Sequence, residues 1–300
     1  FIGRGSSDDK GPGLAAYYAL KTLKDMGVKF HKKVRFVAGT DEENDWTGMT
    51  KYFETEPMPD LGFSPDAEFP VYNGEKGMFS IKLDMAGGNE GDDVLKSFKS
   101  GLRFNMVPRE ADVVVEVEDN QAVMDAYTDF LDNNPVTGEA YEDKDGLHLE
   151  MIGKAAHGME PEKGINAGTY MAKFLQQLKL GGNAKNFVDY IANYLHLDDR
   201  MKGFDGAFTD DVMGDLTMNA GIMNFDGQKG GHLDMNFRFP KGITPDDILN
   251  KVKPVAADFN IDAHYDTFHA PHFVSPDDPM VKTLMKSYID VTGDKDTKPE

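Results

Sequence analysis

The side chains best placed for chemistry in this 300-residue chain are carboxylates that follow strand-like or loop elements. Val34-Arg35-Phe36-Val37-Ala38 alternates and branches like a buried strand, and a Gly39-Thr40 breaker then opens into Asp41-Glu42-Glu43. In open α/β sheets, chemistry gathers beyond the carboxyl ends of the strands. Two adjacent glutamates there can divide the work, one turning toward a bound cation and the other staying free as a general base. Asp8 lies in a glycine-punctuated loop before a helix, and Asp66 follows a second strand-like stretch from Leu61. Asp8, Glu43 and Asp66 can thus converge on one sheet edge. Hard and borderline divalent cations take such oxygen ligands, usually with some imidazole. Plainer readings remain open: acidic triplets are common on solvated loops, and a carboxylate just before a helix can be its N-cap.

The elements that must position these groups can be read in order. Pro12 suits a first helical turn, Leu14 to Met26 carries a helical pattern, and Gly27 is its stop. A short helix from Gly48 to Glu54 follows the first strand. From about Glu75 the texture changes to half-exposed strands and helices: strands near 78–85, 113–117, 147–152, 232–239 and 261–268, with helices near 121–131, 165–180, 187–195 and 248–259. His232 to Phe239 alternates strictly, with Leu233, Met235, Phe237 and Phe239 on one face and His232, Asp234, Asn236 and Arg238 on the other. A last helix, Met280 to Val291 with Gly293 as its stop, rejoins the first domain. The expected class is α/β with two domains: residues 1–74 and 271–300 form one, and 75–270 form an inserted α+β domain with its sheet on one side and its helices on the other.

Length suits two domains rather than one. With 40% hydrophobic and 28% charged residues the chain is an ordinary globular protein. A net charge of −20 argues against nucleic acid or an anionic membrane as partner, since phosphates would be repelled. No apolar run approaches the ~20 residues of a membrane-spanning helix. Cysteine is absent, so a metal would have to use Asp, Glu and His; that absence fits a cytoplasmic location. The chain opens on Phe1 without an initiator methionine and reads as an internal piece.

Three spaced motifs carry a resemblance. Gly3 to Gly11, Gly39 to Glu43, and Ser64-Pro65-Asp66 resemble the zinc metallopeptidase family of deacylases, carboxypeptidases and dipeptidases. Residues 64–70 with Gly74-Glu75-Lys76-Gly77 are most similar to its bacterial PepV-type dipeptidases, and Gly153 to Ala167 and the surroundings of Arg238 also match. The resemblance implies a catalytic domain with a sheet sandwiched by helices and an inserted ferredoxin-like lid. It also implies two zinc ions, with manganese or cobalt as substitutes. Asp8 would bridge the ions, Glu43 and Asp66 would be terminal ligands, and Glu42 would be the general base on the bridging water. Lid residues His157 and Asn105 would stabilise an oxyanion, and Arg238 would hold the substrate carboxylate. The implied substrate is an unblocked dipeptide of broad sequence. The alternatives are an N-acyl-amino-acid deacylase or carboxypeptidase of the same family, or a non-catalytic binding module. The long lid resembles one that mimics a dimer partner within one chain, which implies a monomer.

The sequence departs from that pattern in its histidines. The family has a His-x-Asp upstream of the first loop and a histidine near the end of the catalytic domain, and neither is in place. His196-Leu197-Asp198 and His232-Leu233-Asp234 match the letters but lie far downstream, and His264, His269 and His272 precede the last helix. Without imidazoles each zinc keeps carboxylates alone, a weaker set for zinc. The expectation is that these 300 residues alone are metal-poor and inactive.

Overall fold

A computed structural model describes residues 3, 5, 6, 8–40 and 46–300. The chain divides into two compact units, residues 1–73 with 274–300, and residues 74–273. No helix among the described residues is long and apolar enough to cross a membrane.

In the first unit the described elements are helices. Helix α1, Lys10–Asp25, begins after Asp9, which occupies the N-cap position without a side-chain cap bond; Asp8 therefore does not cap it. Helix α2 is Thr47–Phe53. The strands expected at Val34–Ala38 and from Leu61 are absent among the described residues. Branched alternation favours an extended backbone, but a strand also needs a neighbour to take its ladder bonds, and among the described residues none pairs with this stretch. Instead Arg35 reaches out of this stretch to the Tyr52 hydroxyl at 3.0 Å and the Pro57 carbonyl at 3.3 Å.

The second unit opens with the two-residue strand β1, Gly74–Glu75, and then β2, Gly77–Met85. There follow β3 (Val94–Ser100), β4 (Glu110–Glu116), helix α3 (Asn120–Asp132), β5 (Thr137–Asp143) and β6 (Gly146–Ile152). Helices α4 (Ala167–Leu175) and α5 (Gly182–Tyr190) come next, α5 running into a wider turn at Ile191–Leu195. After the short pair β7 (Thr209–Asp210) and β8 (Gly214–Asp215) come β9 (Thr217–Asp226) and β10 (Gly230–Phe239). The unit closes with α6 (Pro245–Asp258), β11 (Asp262–His264), β12 (Phe268–His269) and β13 (His272–Phe273), the last pairing with β1. The chain then returns to the first unit, where α7 spans Pro279–Thr292 and stops at Gly293 with positive φ.

Nine strands form one sheet in the order β11-β2-β10-β9-β3-β4-β6-β5, with β12 also on β2. The strand pairings of this sheet are antiparallel. Alternation decides the faces. Phe79, Ile81 and Leu83 of β2 and Leu233, Met235 and Phe237 of β10 point into a core that α3, α4, α5 and α6 cover on one side. Aromatic contacts tie that core together, as where Phe98 of β3 meets Phe187 of α5 edge-on at 5.4 Å. The helix expected to Leu180 ends earlier, at Leu175. Residues 176–181 turn out of it, where the Asp93 carboxylate accepts the backbone N–H of Lys179.

Candidate functional site

The residues singled out from sequence fall into two sets, one in each unit. In the first unit, Asp8 and Asp66 are exposed carboxylates in irregular backbone. Glu42 and Glu43 lie outside the described residues. Among the described residues no three His, Asp or Glu side chains come together in a group able to hold a metal ion. The described donors, two carboxylates without an imidazole, do not by themselves make up a metal centre.

The second set is built. Asn105 and His157 sit on two extended segments that run antiparallel: Met106 bridges to His157, Gly158 N–H donates to the Asn105 carbonyl at 2.7 Å, and Val107 N–H donates to the Ala156 carbonyl at 2.9 Å. The two backbones come so close that a Cβ on Gly158 would stand 2.9 Å from the Asn105 carbonyl carbon and oxygen, so only glycine fits.

The His157 ring has a defined tautomer. Its Nδ1 accepts the backbone N–H of Met159 at 3.2 Å, which leaves the proton of the neutral ring on Nε2 as a free donor. Partial burial and then the Arg238 guanidinium hold the imidazole pKa below its ordinary range, against a smaller opposing pull from Glu160. Burial and the guanidinium both favour the neutral ring.

Arg238 lies near the end of β10, paired across the ladder with Met78 on β2 and Thr217 on β9. Burial lowers its pKa, with Glu75 pulling the other way. Its Nε is buried and makes no hydrogen bond. A buried guanidinium N–H without a partner is costly and geometrically suited to a planar anion. A guanidinium and an imidazole N–H donor thus lie within electrostatic reach of each other on one unit.

The two look-alike His-x-Asp motifs are employed otherwise. His196 is packed edge-on against Tyr170 at 4.5 Å, beside the Thr169 hydroxyl, and burial followed by Lys173 takes its pKa down to about 4. Asp198 accepts the backbone N–H groups of Arg200, Lys202 and Gly203. His232 stands between two carboxylates, 2.8 Å from Asp84 and 3.4 Å from Asp234. His264, His269 and His272 belong to the strands of the second unit.

Sequence pattern does not single out β9, yet it borders this set. Its register against β10 slips at Gly221, where a Cβ would fall 2.1 Å from the Phe104 carbonyl oxygen. Such a bulge re-aims the strand and breaks the period-2 signal that would announce it.

The model of Peptidase family M20/M25/M40 matches residues 1–300. The chain belongs to this peptidase family. Two relatives, both provisionally named dipeptidases, come from Staphylococcus haemolyticus and Staphylococcus saprophyticus. The first is 41% identical over 298 residues, covering 98% of this chain and 64% of the relative. The second is 42% identical over 308 residues, covering 99% and 64%. This family member thus spans about two thirds of the length of those relatives. A solved structure, an aminoacylhistidine dipeptidase from Vibrio alginolyticus, matches 78% of this chain and 52% of its own at 9% identity, with a TM-score of 0.41. That likeness is too slight to argue from.

Proposed function

We propose that the protein is a dipeptidase that hydrolyses the peptide bond of unblocked dipeptides of broad sequence, with the first unit as catalytic domain and the second as lid. The observation that carries this reading is the pairing of His157, with its Nε2 proton free to donate, and Arg238, with its buried Nε unpartnered. Each kind of group serves the hydrolysis of a dipeptide. As water adds to the carbonyl carbon, negative charge grows on the carbonyl oxygen, and the His157 Nε2–H with Asn105 meets it. Arg238 takes the carboxylate at the far end of the dipeptide, which fixes the scissile bond by charge and shape. Glu42 accepts the proton of the attacking water and passes it to the departing amine.

The finer part of the proposal is zinc, two ions in the full-length protein to which Asp8, Glu43 and Asp66 would contribute carboxylate ligands and which would supply Lewis-acid chemistry when bound. The protein is further proposed to work as a monomer in the cytoplasm.

The test is a panel of free dipeptides, N-acylated dipeptides and N-acyl amino acids given to the full-length protein. Turnover of the free dipeptides alone is the expected result. A preference for the N-acylated substrates would replace this reading with a deacylase. Arg238→Ala is expected to raise KM at least tenfold for dipeptides and to leave neutral, C-terminally amidated analogues unaffected. Equal loss on both would remove Arg238 from carboxylate binding.

A further inference from the structure

We propose that Asn219 is a positioning residue that holds the segments carrying Asn105 and His157 in their working register, a role that rests on the dipeptidase reading. Asn219 is 2% exposed on β9. Its side-chain amide donates to two backbone carbonyls, Phe104 O and Met106 O, each at 3.0 Å. These carbonyls belong to the two residues that flank Asn105, so a single amide group spends both of its N–H bonds on the neighbours of that one residue. The segment so held is the one that pairs with His157 and Gly158. A Cβ on Gly158 would come within 3.1 Å of the Asn219 Nδ2, so the amide also abuts the second segment. Two residues back along the same face of β9, the Thr217 hydroxyl donates to the Met159 carbonyl at 3.4 Å, and Thr217 is the ladder partner of Arg238. One strand therefore grips both loops and neighbours the arginine.

The chemistry requires asparagine. The two carbonyls need two donors from one short, planar group in a buried place. An aspartate would set lone pairs against lone pairs, an alanine would strand both carbonyls, and a serine could serve only one. Direct contact with substrate is not part of this role: Asn219 acts through the backbone of Asn105 and, by way of the bridge, through His157.

The sheet supplies its own control. Asn236 is the ladder partner of Asn219, is 1% exposed, and also donates twice, but to Phe79 O at 3.2 Å and Ser80 Oγ at 3.1 Å within the sheet. A merely structural buried asparagine would behave alike at both positions.

The experiment compares Asn219→Ala with Asn236→Ala in the full-length protein, by free-dipeptide kinetics and by hydrogen exchange. Asn219→Ala is expected to lower kcat roughly tenfold to hundredfold with KM changed less than about threefold, the size a small misplacement of catalytic groups produces. It should also speed exchange in residues 103–107 and 156–160 together. Asn236→Ala should leave kcat and both segments unchanged. In an Asn105→Ala/His157→Ala background the Asn219 substitution should add little to the loss, because it acts through those two residues. Multiplicative losses there, or equal kcat losses at the two asparagines, would overturn the proposal. Asn219→Ser, with one donor kept, serves if the alanine variant does not fold, and is expected to fall between it and the parent. If the parent enzyme does not cleave free dipeptides, the functional reading falls, and the exchange data alone decide whether Asn219 clamps the two segments.

Discussion

Helices α1 and α4 begin from comparable sequence patterns and end in different surroundings. Helix α1 runs 16 residues with leucines and tyrosines at helical spacing, and no residue of it is buried. Helix α4 runs nine residues, and all but Lys173 are buried. In the first unit Leu14, Trp46, Phe63 and Phe69 are all exposed, whereas the second unit closes a continuous core under its sheet. Local spacing makes a helix in either place, but burial is a property of the surface opposite it. In the second unit that surface is the sheet.

The sharpest way to break this comparison is to remove one large side chain from each helix's surroundings. Phe98→Ala, at a fully buried position, is expected to cost the second unit about 3–5 kcal/mol, whereas Leu14→Ala should stay within about 0.5 kcal/mol, both read by denaturant unfolding. Comparable losses would mean that α1 is packed in solution.

A second test asks whether the second unit carries the chemistry. His157→Ala should lower kcat by about 10²–10³-fold, the usual cost of an oxyanion donor, with unfolding midpoints nearly unchanged because the residue is only partly buried. A kcat loss below about threefold would take His157 out of the reaction.

The third test uses pH. His196 is held neutral by burial, with a folded pKa of about 4 against 6.5 unfolded. Its contribution is whole above the unfolded value and is lost as pH falls from there through about 4, because the unfolded state binds the proton first. Acidification from pH 7 to 4 should cost about 1–2 kcal/mol more in the parent than in His196→Gln, after allowance for the ring's remaining solvent contact. Equal acid sensitivity would mean the ring is hydrated. The smallest effect belongs to α1 again: Lys21→Ala removes an exposed pair with Asp25 and should shift stability by no more than about 0.5 kcal/mol.

Much of the second unit was legible as a sequence. The strict alternation from Leu233 to Phe239 is the buried face of β10, and Thr244-Pro245-Asp246-Asp247 forms a reciprocal capping box at the start of α6. Strands β3, β5 and β9 were not legible. Strand β5 is an edge strand whose residues are nearly all exposed, so no apolar period marks it, and β9 hides its period behind Gly221. In the candidate site, His157 and Arg238 were readable as residues, but their mutual proximity was not. Nothing in Asn219-Ala220-Gly221 announces a clamp on a loop more than a hundred residues earlier.

Residue types and their order alone determined the family, the acidic character, the absence of thiol chemistry, and most helices, because each depends on neighbours within a few positions. Tertiary structure alone decided which proton His157 carries, that Arg238 keeps a buried N–H unpartnered, and that Asn219 holds the Asn105 loop. Those are facts about groups brought together across the sheet, where a hydrogen bond is set by ångström-scale geometry that no local pattern encodes.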